Sequence, residues 1–332
     1  MVSIKAIRSS NALLADATVP RVAVFAGGTS GIGKFTVRAL AATGAPIRIY
    51  LVGRPSAAVA TASFIAEVHA LNPRAEIVWT EAEIALLADV RRVCELIRAK
   101  EPRVDLLFLS AGYAPFGGRR EVTAEGVGLV QSLEYYSRVL FVMGLLPALR
   151  AAEAGRVISV LAGGAERVAA LRVDDMDLEE PGVFGAIAAQ SHFAALNTVA
   201  LDKLAEENPG LVFIHSWPGW VDTGNGRRGA EEGSWMAWVV RWILEPIMRA
   251  FSFSHEDSGQ RYLFQCTSAA YGGHGVPWDG EPGVNSVGMA AAGMFRVKFK
   301  CDCAKDGVVP ALREKADDKV WKHTLKVLAP YL

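Results

Sequence analysis

The sequence predicts an α/β protein built on a doubly wound parallel sheet with helices on both faces, followed by a helical C-terminal extension. Three observations carry this prediction. Short apolar runs alternate with segments of helical periodicity from residue 21 to residue 217, a glycine-rich turn follows the first run, and 51% of the 332 residues are hydrophobic. Such alternation is typical of βαβ units, and this apolar content is enough for one large core.

We expect a single domain in three parts: an N-terminal arm (1–20), a sheet core (21–225), and lid helices with a C-terminal extension (226–332). The predicted strands of the core are, in chain order, residues 21–28, 46–54, 75–81, 104–112, 156–163 and 211–217. The predicted helices between them are residues 34–44, 58–71, 86–100, 132–152 and 186–207. Doubly wound sheets bind ligands at the carboxyl ends of their strands, so functional residues should be sought there.

The charge balance excludes a large class of partners. Lys and Arg together number 35, as do Asp and Glu, so the chain has no net positive field for nucleic acid or an anionic membrane. The N-terminal residues lack the apolar centre of a signal peptide, and no run reaches the roughly 20 apolar residues of a membrane span. We expect a soluble, cytoplasmic protein whose four cysteines stay reduced and hold no metal.

Beyond Gly219 the alternation ceases, and an apolar helical segment follows that contains Trp235, Trp238 and Trp242. Three interpretations are open for this segment. It packs on its own domain, it closes together with Trp220 as a lid over an apolar substrate, or it lies on a membrane surface. The segment lacks the basic face that surface binding needs, which disfavours the third interpretation.

The turn after the first strand reads Ala26-Gly27-Gly28-Thr29-Ser30-Gly31-Ile32-Gly33, with glycines spaced GxxxGxG. Absent side chains let backbone N–H groups approach a pyrophosphate, and the N-terminus of the following helix adds partial positive charge. Glycines also serve ordinary tight turns. The position between a strand and a helix favours dinucleotide binding here.

Two further motifs give the chain a resemblance to the short-chain dehydrogenase/reductase family, which has a Rossmann-type fold. The glycine turn has the spacing of that family. Leu109-Ser110-Ala111-Gly112 stands where the family has Asn-Asn-Ala-Gly, and Pro218-Gly219-Trp220-Val221-Asp222-Thr223 matches its PGxVxT motif. Segments such as GGTSGIG, YYSRVLF and KVWKHT make the chain similar to a fungal branch of the family that is often met in secondary metabolism.

The resemblance implies a bound nicotinamide cofactor and a small-molecule substrate, and homodimers or tetramers through the long helices are common in this family. The residues implied to contact the cofactor are Gly27, Thr29, Ser30, Gly31, Ile32, Gly33, Ser110, Ala111, Gly112, Pro218, Gly219, Val221 and Thr223.

The end of the second strand favours NADP(H) over NAD(H). Arg54 stands where an NAD-preferring enzyme places an acidic residue for the ribose hydroxyls. An arginine can pair with the 2′-phosphate of NADP, and Lys34 could assist it. Glu83, after the third strand, could accept a hydrogen bond from the adenine amine.

The catalytic tyrosine and lysine that the resemblance implies are absent. They should stand four residues apart on the helix that contains Gly185 to Thr198. The lysine position falls on His192, Phe193 or Ala194, and the tyrosine position on Ala188, Ala189 or Gln190. None of the seven tyrosines is followed four residues later by lysine, and no lysine occurs between Lys100 and Lys203.

The other two catalytic positions have also changed type. The family's serine falls near Leu161 or Ala162, and its helix asparagine falls at Glu134. The remaining candidates for catalysis are Tyr113, Tyr136 and His192. An imidazole can act as acid or base near neutral pH, although a single histidine on a helix is often structural.

Three functional hypotheses remain open. The first is a reductase that delivers hydride to an apolar polycyclic or conjugated substrate, such as an activated alkene, a quinone or an iminium, without proton donation from tyrosine. The second is a non-redox cyclase, isomerase or dehydratase that uses the cleft as a template. The third is a catalytically inactive binding subunit.

Overall fold

The fold is seen in a computed structural model, which describes residues 1–113, 115, 119–221 and 252–332. Seven strands form a sheet in the order β3–β2–β1–β4–β5–β6–β7, and all neighbouring strands run parallel. The strands are β1 (Val22–Ala26), β2 (Ile47–Gly53), β3 (Ala75–Glu81), β4 (Leu106–Leu109), β5 (Arg156–Val160), β6 (Val212–Ser216) and β7 (Gly293–Val297). The order reverses between β1 and β4, so their carboxyl ends border the switch point of the topology.

Helices connect the strands and cover both faces of the sheet. They are α1 (Ile4–Asn11), α2 (Gly31–Ala41), α3 (Ala58–Leu71), α4 (Leu87–Lys100), α5 (Leu129–Gln131), α6 (Ser137–Arg150), α7 (Ala186–Glu206), α8 (His255–Thr267), α9 (Val308–Ala316) and α10 (Lys319–Leu328). One apolar core lies between the sheet and α4, α6 and α7, and a second lies between the sheet and α2, α3 and α8.

The doubly wound fold predicted from the sequence is confirmed, and so are the six strands predicted within residues 21–217. Every residue of β1, β4, β5 and β6 is buried. Helices cover both faces of a parallel sheet, so its central strands read as continuous apolar runs instead of alternating ones.

The C-terminal extension also contributes β7, a strand that the sequence does not reveal. Its residue Arg296 places a charge in a short apolar run, and the connection from β6 is much longer than the earlier ones. In the structure Arg296 is 4% exposed, and its guanidinium donates to the buried carboxylate of Glu166 at 2.6 and 2.9 Å. The charge is therefore paired inside the protein.

The N-terminal arm contains helix α1, which packs on α8. The Ser3 hydroxyl accepts from the backbone N–H of Ala6 and caps the helix. Asn11 donates through Nδ2 to the side chain and backbone oxygens of Gln260, at 2.8 and 2.9 Å. The first residues of the chain are thus bound to the segment that precedes β7.

The helix predicted over residues 132–152 contains a π-helical stretch, Ser132–Tyr136, between α5 and α6. A π-turn inserts one residue per turn and changes the direction in which the following side chains point. Such stretches are often found at functional sites, and this one contains Glu134, where the resemblance predicts the family's asparagine.

The tryptophan segment predicted as a lid, with Trp235, Trp238 and Trp242, lies outside the described residues, as does Thr223. Trp220 is described, and 46% of its surface is exposed. Among the described helices none has the length and apolar character needed to cross a membrane.

Candidate active site

The glycine-rich turn is packed too closely to accept side chains at two positions. Gly27 has φ +100°, and a Cβ there would lie 2.5 Å from the backbone nitrogen of Ala111. A Cβ at Gly33 would lie 2.5 Å from the carbonyl oxygen of Gly27. The turn therefore brings α2, β1 and the end of β4 together and leaves bare backbone at the beginning of α2.

A cavity of about 490 Å³ lies against this turn at the carboxyl ends of the strands. Its lining includes ten residues predicted to contact the cofactor, the predicted catalytic Tyr113, and several apolar side chains. The lining residues are Gly27, Thr29, Ser30, Gly31, Ile32, Val52, Gly53, Arg54, Glu83, Ile84, Ser110, Ala111, Gly112, Tyr113, Leu129 and Leu133. Sequence positions up to about a hundred residues apart thus meet at one cleft.

Arg54 and Glu83 lie at the end of the cavity that borders β2 and β3. Arg54 directly follows β2 and forms no ion pair with any described carboxylate. The backbone N–H of Glu83 donates to Oδ2 of Asp89 at 2.7 Å. Lys34, predicted as a possible assistant, places its Nζ 4.6 Å from the centre of the Phe64 ring.

The residues of the third motif follow β6 but do not belong to the described lining of this cavity. Gly219 has φ +65°, and a Cβ there would lie 2.8 Å from Cβ of Phe299. Val221 pairs with Phe253 in an isolated bridge. Contacts of Pro218, Gly219 and Val221 with a cofactor stay a prediction.

Glu134 is buried directly behind the cavity wall, in the π-helical stretch, and is 1% exposed. Nε2 of Gln190 donates to its two carboxylate oxygens at 2.8 and 2.7 Å, and the backbone N–H of Tyr113 donates at 3.1 Å. A Cβ at Gly112 would lie 2.8 Å from Oε1 of Glu134. Burial raises the pKa of Glu134 to about 7, although the charge of Arg138 and these hydrogen bonds oppose the rise.

Glu134 also belongs to a buried network of hydrogen bonds. Arg138 donates to Oγ of Ser159 at 2.8 Å and to the carbonyl of Ala111 at 2.7 Å. Ser159 donates to Oδ1 of Asn197, whose Nδ2 donates to the carbonyl of Glu134 at 2.6 Å. These bonds join α6, α7 and the ends of β4 and β5, and they fix the backbone at Glu134.

The structure places His192 away from the cavity, with 1% of its surface exposed. Nε2 lies 3.0 Å from the carbonyl of Met176, and Nδ1 lies 3.2 Å from both the backbone nitrogen of Arg172 and the carbonyl of Ala170. Both ring nitrogens thus hold the segment between β5 and α7. This geometry does not support the catalytic role expected of His192.

Tyr136 is also turned away from the cavity. Its hydroxyl donates to Oδ1 of Asp177 at 2.7 Å and lies 3.0 Å from Nε2 of His323. The neighbouring Tyr135 hydroxyl lies 2.6 Å from Oγ1 of Thr324. The two tyrosines therefore bind α10 to the π-helical stretch. These contacts do not support a catalytic role for Tyr136.

Tyr113 is the one predicted catalytic residue that lines the cavity. It is half-buried, and burial raises the pKa of its phenol, as do the nearby carboxylates of Glu121 and Glu134. The phenol therefore keeps its proton at neutral pH and can donate a hydrogen bond into the cleft.

Comparison with known proteins indicates one protein family. A family model described as short chain dehydrogenase matches residues 21–171. Oxidoreductase AN1596 of Emericella nidulans is 34% identical, over 98% of this chain and 97% of its own. Short-chain dehydrogenase/reductase SAT2 of Stachybotrys chartarum is 28% identical, over 99% of this chain and 97% of its own.

The chain belongs to the short-chain dehydrogenase/reductase family. Several of its fungal relatives are named oxidoreductases, among them Oxidoreductase AN1596, so by kinship the chain is grouped with the oxidoreductases. A solved structure of the family fold, the RhlG/NADP active-site complex of Pseudomonas aeruginosa, is similar with a TM-score of 0.52 and 20% identity, over 74% of this chain and 89% of that one. At this identity the likeness concerns the fold alone.

Sequence reasoning missed the pairing of Glu134 with Gln190. It named Glu134 as the residue at the expected asparagine position, and Gln190 only as one of three residues on which the tyrosine position falls. A signal was present, because Glu134 and Arg138 are four residues apart in an otherwise apolar helical segment. Charged residues in such a segment are buried only when they are paired, so they often mark a network or a site.

Proposed function

We propose that this family member binds NADP(H) and transfers hydride to an apolar polycyclic or conjugated substrate in natural-product biosynthesis. Its acceptor would be an activated C=C, a quinone or an iminium. The observation that carries the proposal is the cavity itself, which joins the bare glycine turn to Arg54 at one end and to Tyr113 at the other.

The residues present fit the cofactor. Gly27 and Gly33 keep the backbone open where a pyrophosphate would approach the N-terminus of α2. The guanidinium of Arg54, which pairs with no described carboxylate, stands at the end of β2 and suits the 2′-phosphate of NADP. Glu83 lines the same end, where it can accept from an adenine amine. Bound NADPH would supply the hydride.

The other end of the cavity favours substrates that need no simultaneous proton transfer. The tyrosine position that the resemblance implies falls on Ala188, Ala189 or Gln190, none of which can donate a proton as a phenol does. Leu129 and Leu133 add apolar surface. An electron-poor acceptor can take hydride first and its proton later from water.

Equilibrium titration of the purified protein with NADPH and NADH tests the proposal. We expect both reduced cofactors to bind in the cavity, with NADPH the tighter of the two. Failure to bind either cofactor would contradict the proposed hydride transfer and would favour the hypothesis of a catalytically inactive binding subunit.

A non-redox cyclase or isomerase is the second candidate function. It is favoured by the buried carboxyl of Glu134, whose pKa near 7 suits acid or base chemistry at neutral pH. A product of unchanged mass, formed equally well without NADPH, would support this alternative.

A further inference from the structure

A second cavity lies at the opposite end of the sheet from the glycine turn, where the amino ends of β1, β4 and β5 come together. Its volume is about 420 Å³, within the range of roughly 300 to 1,000 Å³ that is typical of small-molecule sites. The N-terminal arm forms one wall through residues 17–20, and the segment around the end of α8 forms another. Three arginines line the cavity: Arg21, Arg103 and Arg156.

Arg156, the first residue of β5, is 3% exposed. Its two Nη atoms donate, at 2.7 to 3.2 Å, to the backbone carbonyl oxygens of Gln265, Ser268, Tyr271 and His274. These oxygens accept from the N–H groups, but their partial charges do not neutralise a cation. Within the described chain Nε makes no hydrogen bond, so this N–H is left for a ligand.

Two other arginines of the described chain are buried to the same degree, and each has a carboxylate nearby. Arg296 donates to Glu166 at 2.6 and 2.9 Å. The charge of Glu134 partly offsets the lowering of the pKa of Arg138 by burial. No described carboxylate does this for Arg156, and burial lowers the pKa of its guanidinium to about 10. A buried charge without a counter-charge is costly, so an anion is favoured beside Arg156.

The rest of the lining keeps a positive balance. Arg21 and Arg103 are exposed, and Arg21 forms no ion pair with a described carboxylate. Asp105 is already engaged, because its Oδ2 accepts from the backbone N–H groups of Arg21 and Val22 at 2.9 Å. Its Oδ1 lies 3.5 Å from Nε of Arg103. The other carboxylate of the lining, Glu153, is exposed, so three guanidinium groups face two carboxylates.

We propose that this cavity binds a phosphate group, either as the free ion or as part of a small phosphorylated metabolite. Guanidinium groups from three separate segments each present N–H donors, which suits a tetrahedral oxyanion with several oxygens and more than one charge. The bound group would connect the N-terminal arm, β5 and the end of α8. The cavity shares no lining residue with the one at the glycine turn, so the inference is independent of the proposed function.

Calorimetric titration of the full-length protein with inorganic phosphate and with glycerol phosphate tests the site. Chloride keeps the ionic strength constant, so that general screening does not change between samples. We expect the wild type to bind at least one of the two probes with a Kd of about 1 mM or below. Tighter binding of inorganic phosphate would indicate the free ion as the ligand, and tighter binding of glycerol phosphate would indicate a phosphate ester.

The double variant Arg21→Gln/Arg103→Gln removes two exposed charges from the cavity and leaves the buried network of Arg156 in place. We expect it to bind the probe at least about tenfold more weakly. Arg38→Gln/Arg91→Gln is the matched control, because it removes two exposed arginines from α2 and α4. This control should bind the probe as the wild type does.

Two further variants locate the bound probe. Arg156→Met removes the buried charge and keeps the side-chain length, so it should bind no phosphate; its melting curve without phosphate reports whether it folds. If it does not fold, the double variant decides. The glycine turn is another place where phosphate can bind. Arg54→Ala changes only that cavity and should keep the wild-type affinity for the probe.

The inference is overturned if the wild type binds neither probe, or if Arg21→Gln/Arg103→Gln binds as tightly as its matched control. It is also overturned if Arg54→Ala loses the probe, because the phosphate then lies at the glycine turn. Failure of the proposed function is a separate result, since that function fails when the wild type does not bind NADPH.

Discussion

Gln190 donates through Nε2 to both carboxylate oxygens of Glu134, at 2.8 and 2.7 Å. The two residues come from α7 and from the π-helical stretch before α6, and they meet next to Gly112 in the cavity wall. A carboxyl on one helical segment is therefore held by an amide from another. A buried carboxyl held in this way has consequences that can be measured apart from any reaction.

Glu134 should make the stability of the protein depend on pH. Its folded pKa of about 7 lies above the ordinary value of 4.5, so the stabilisation is complete below the ordinary value and is lost as pH rises through the folded value. We expect the free energy of unfolding to fall by up to about 3 kcal/mol between these limits, relative to Glu134→Gln. Denaturant unfolding across this pH range measures the difference, and parallel curves for the two proteins would contradict it.

Arg54 should set the preference for NADPH. Replacing Arg54 by alanine removes a charge-assisted bond to the 2′-phosphate, so NADPH should bind about 10 to 100 times more weakly, while NADH affinity stays within about twofold. Calorimetric titration measures both constants. Arg38→Ala, at an exposed ion pair with Glu67 on the outer face of α2, is the control. Equal losses of affinity for NADPH and NADH in Arg54→Ala would contradict the proposed contact between Arg54 and the 2′-phosphate.

Gly33→Ala should abolish cofactor binding. The new Cβ would lie 2.5 Å from the Gly27 carbonyl and 2.9 Å from Oγ of Ser110, so α2 and the turn must separate. Gly210→Ala is the control, because a Cβ there meets no atom within 4 Å. Titration with NADPH and thermal melting distinguish loss of the site from loss of the fold, and unchanged affinity in Gly33→Ala would contradict the packing described for the turn.

His192→Ala should weaken the protein without altering its chemistry. The substitution removes the bonds to the segment around Met176 and leaves a buried cavity, at a cost of about 2 kcal/mol. We expect a lower melting temperature and an unchanged kcat below that temperature. A loss of kcat with unchanged stability would restore the catalytic role predicted for His192.

The sequence was sufficient for six of the seven strands and for the glycine turn that borders the cavity, because both depend on local patterns. Strands between helices produce continuous apolar runs, and a glycine turn is recognisable without its neighbours. Strand β7 was not predicted, because it contains the charged residue Arg296, whose partner Glu166 is 130 residues away in the sequence. The pairing of Glu134 with Gln190 was hidden for the same reason. Contacts between distant helices decide whether a charged residue is buried, and periodicity contains no information about them.

Turnover with NADPH tests the central claim most directly. The protein is incubated with NADPH and a conjugated carbonyl compound or quinone, while absorbance of the reduced nicotinamide and product mass are followed together. We expect equal amounts of cofactor consumed and of a product heavier by two hydrogens. A product of unchanged mass, with NADPH untouched, would contradict hydride transfer.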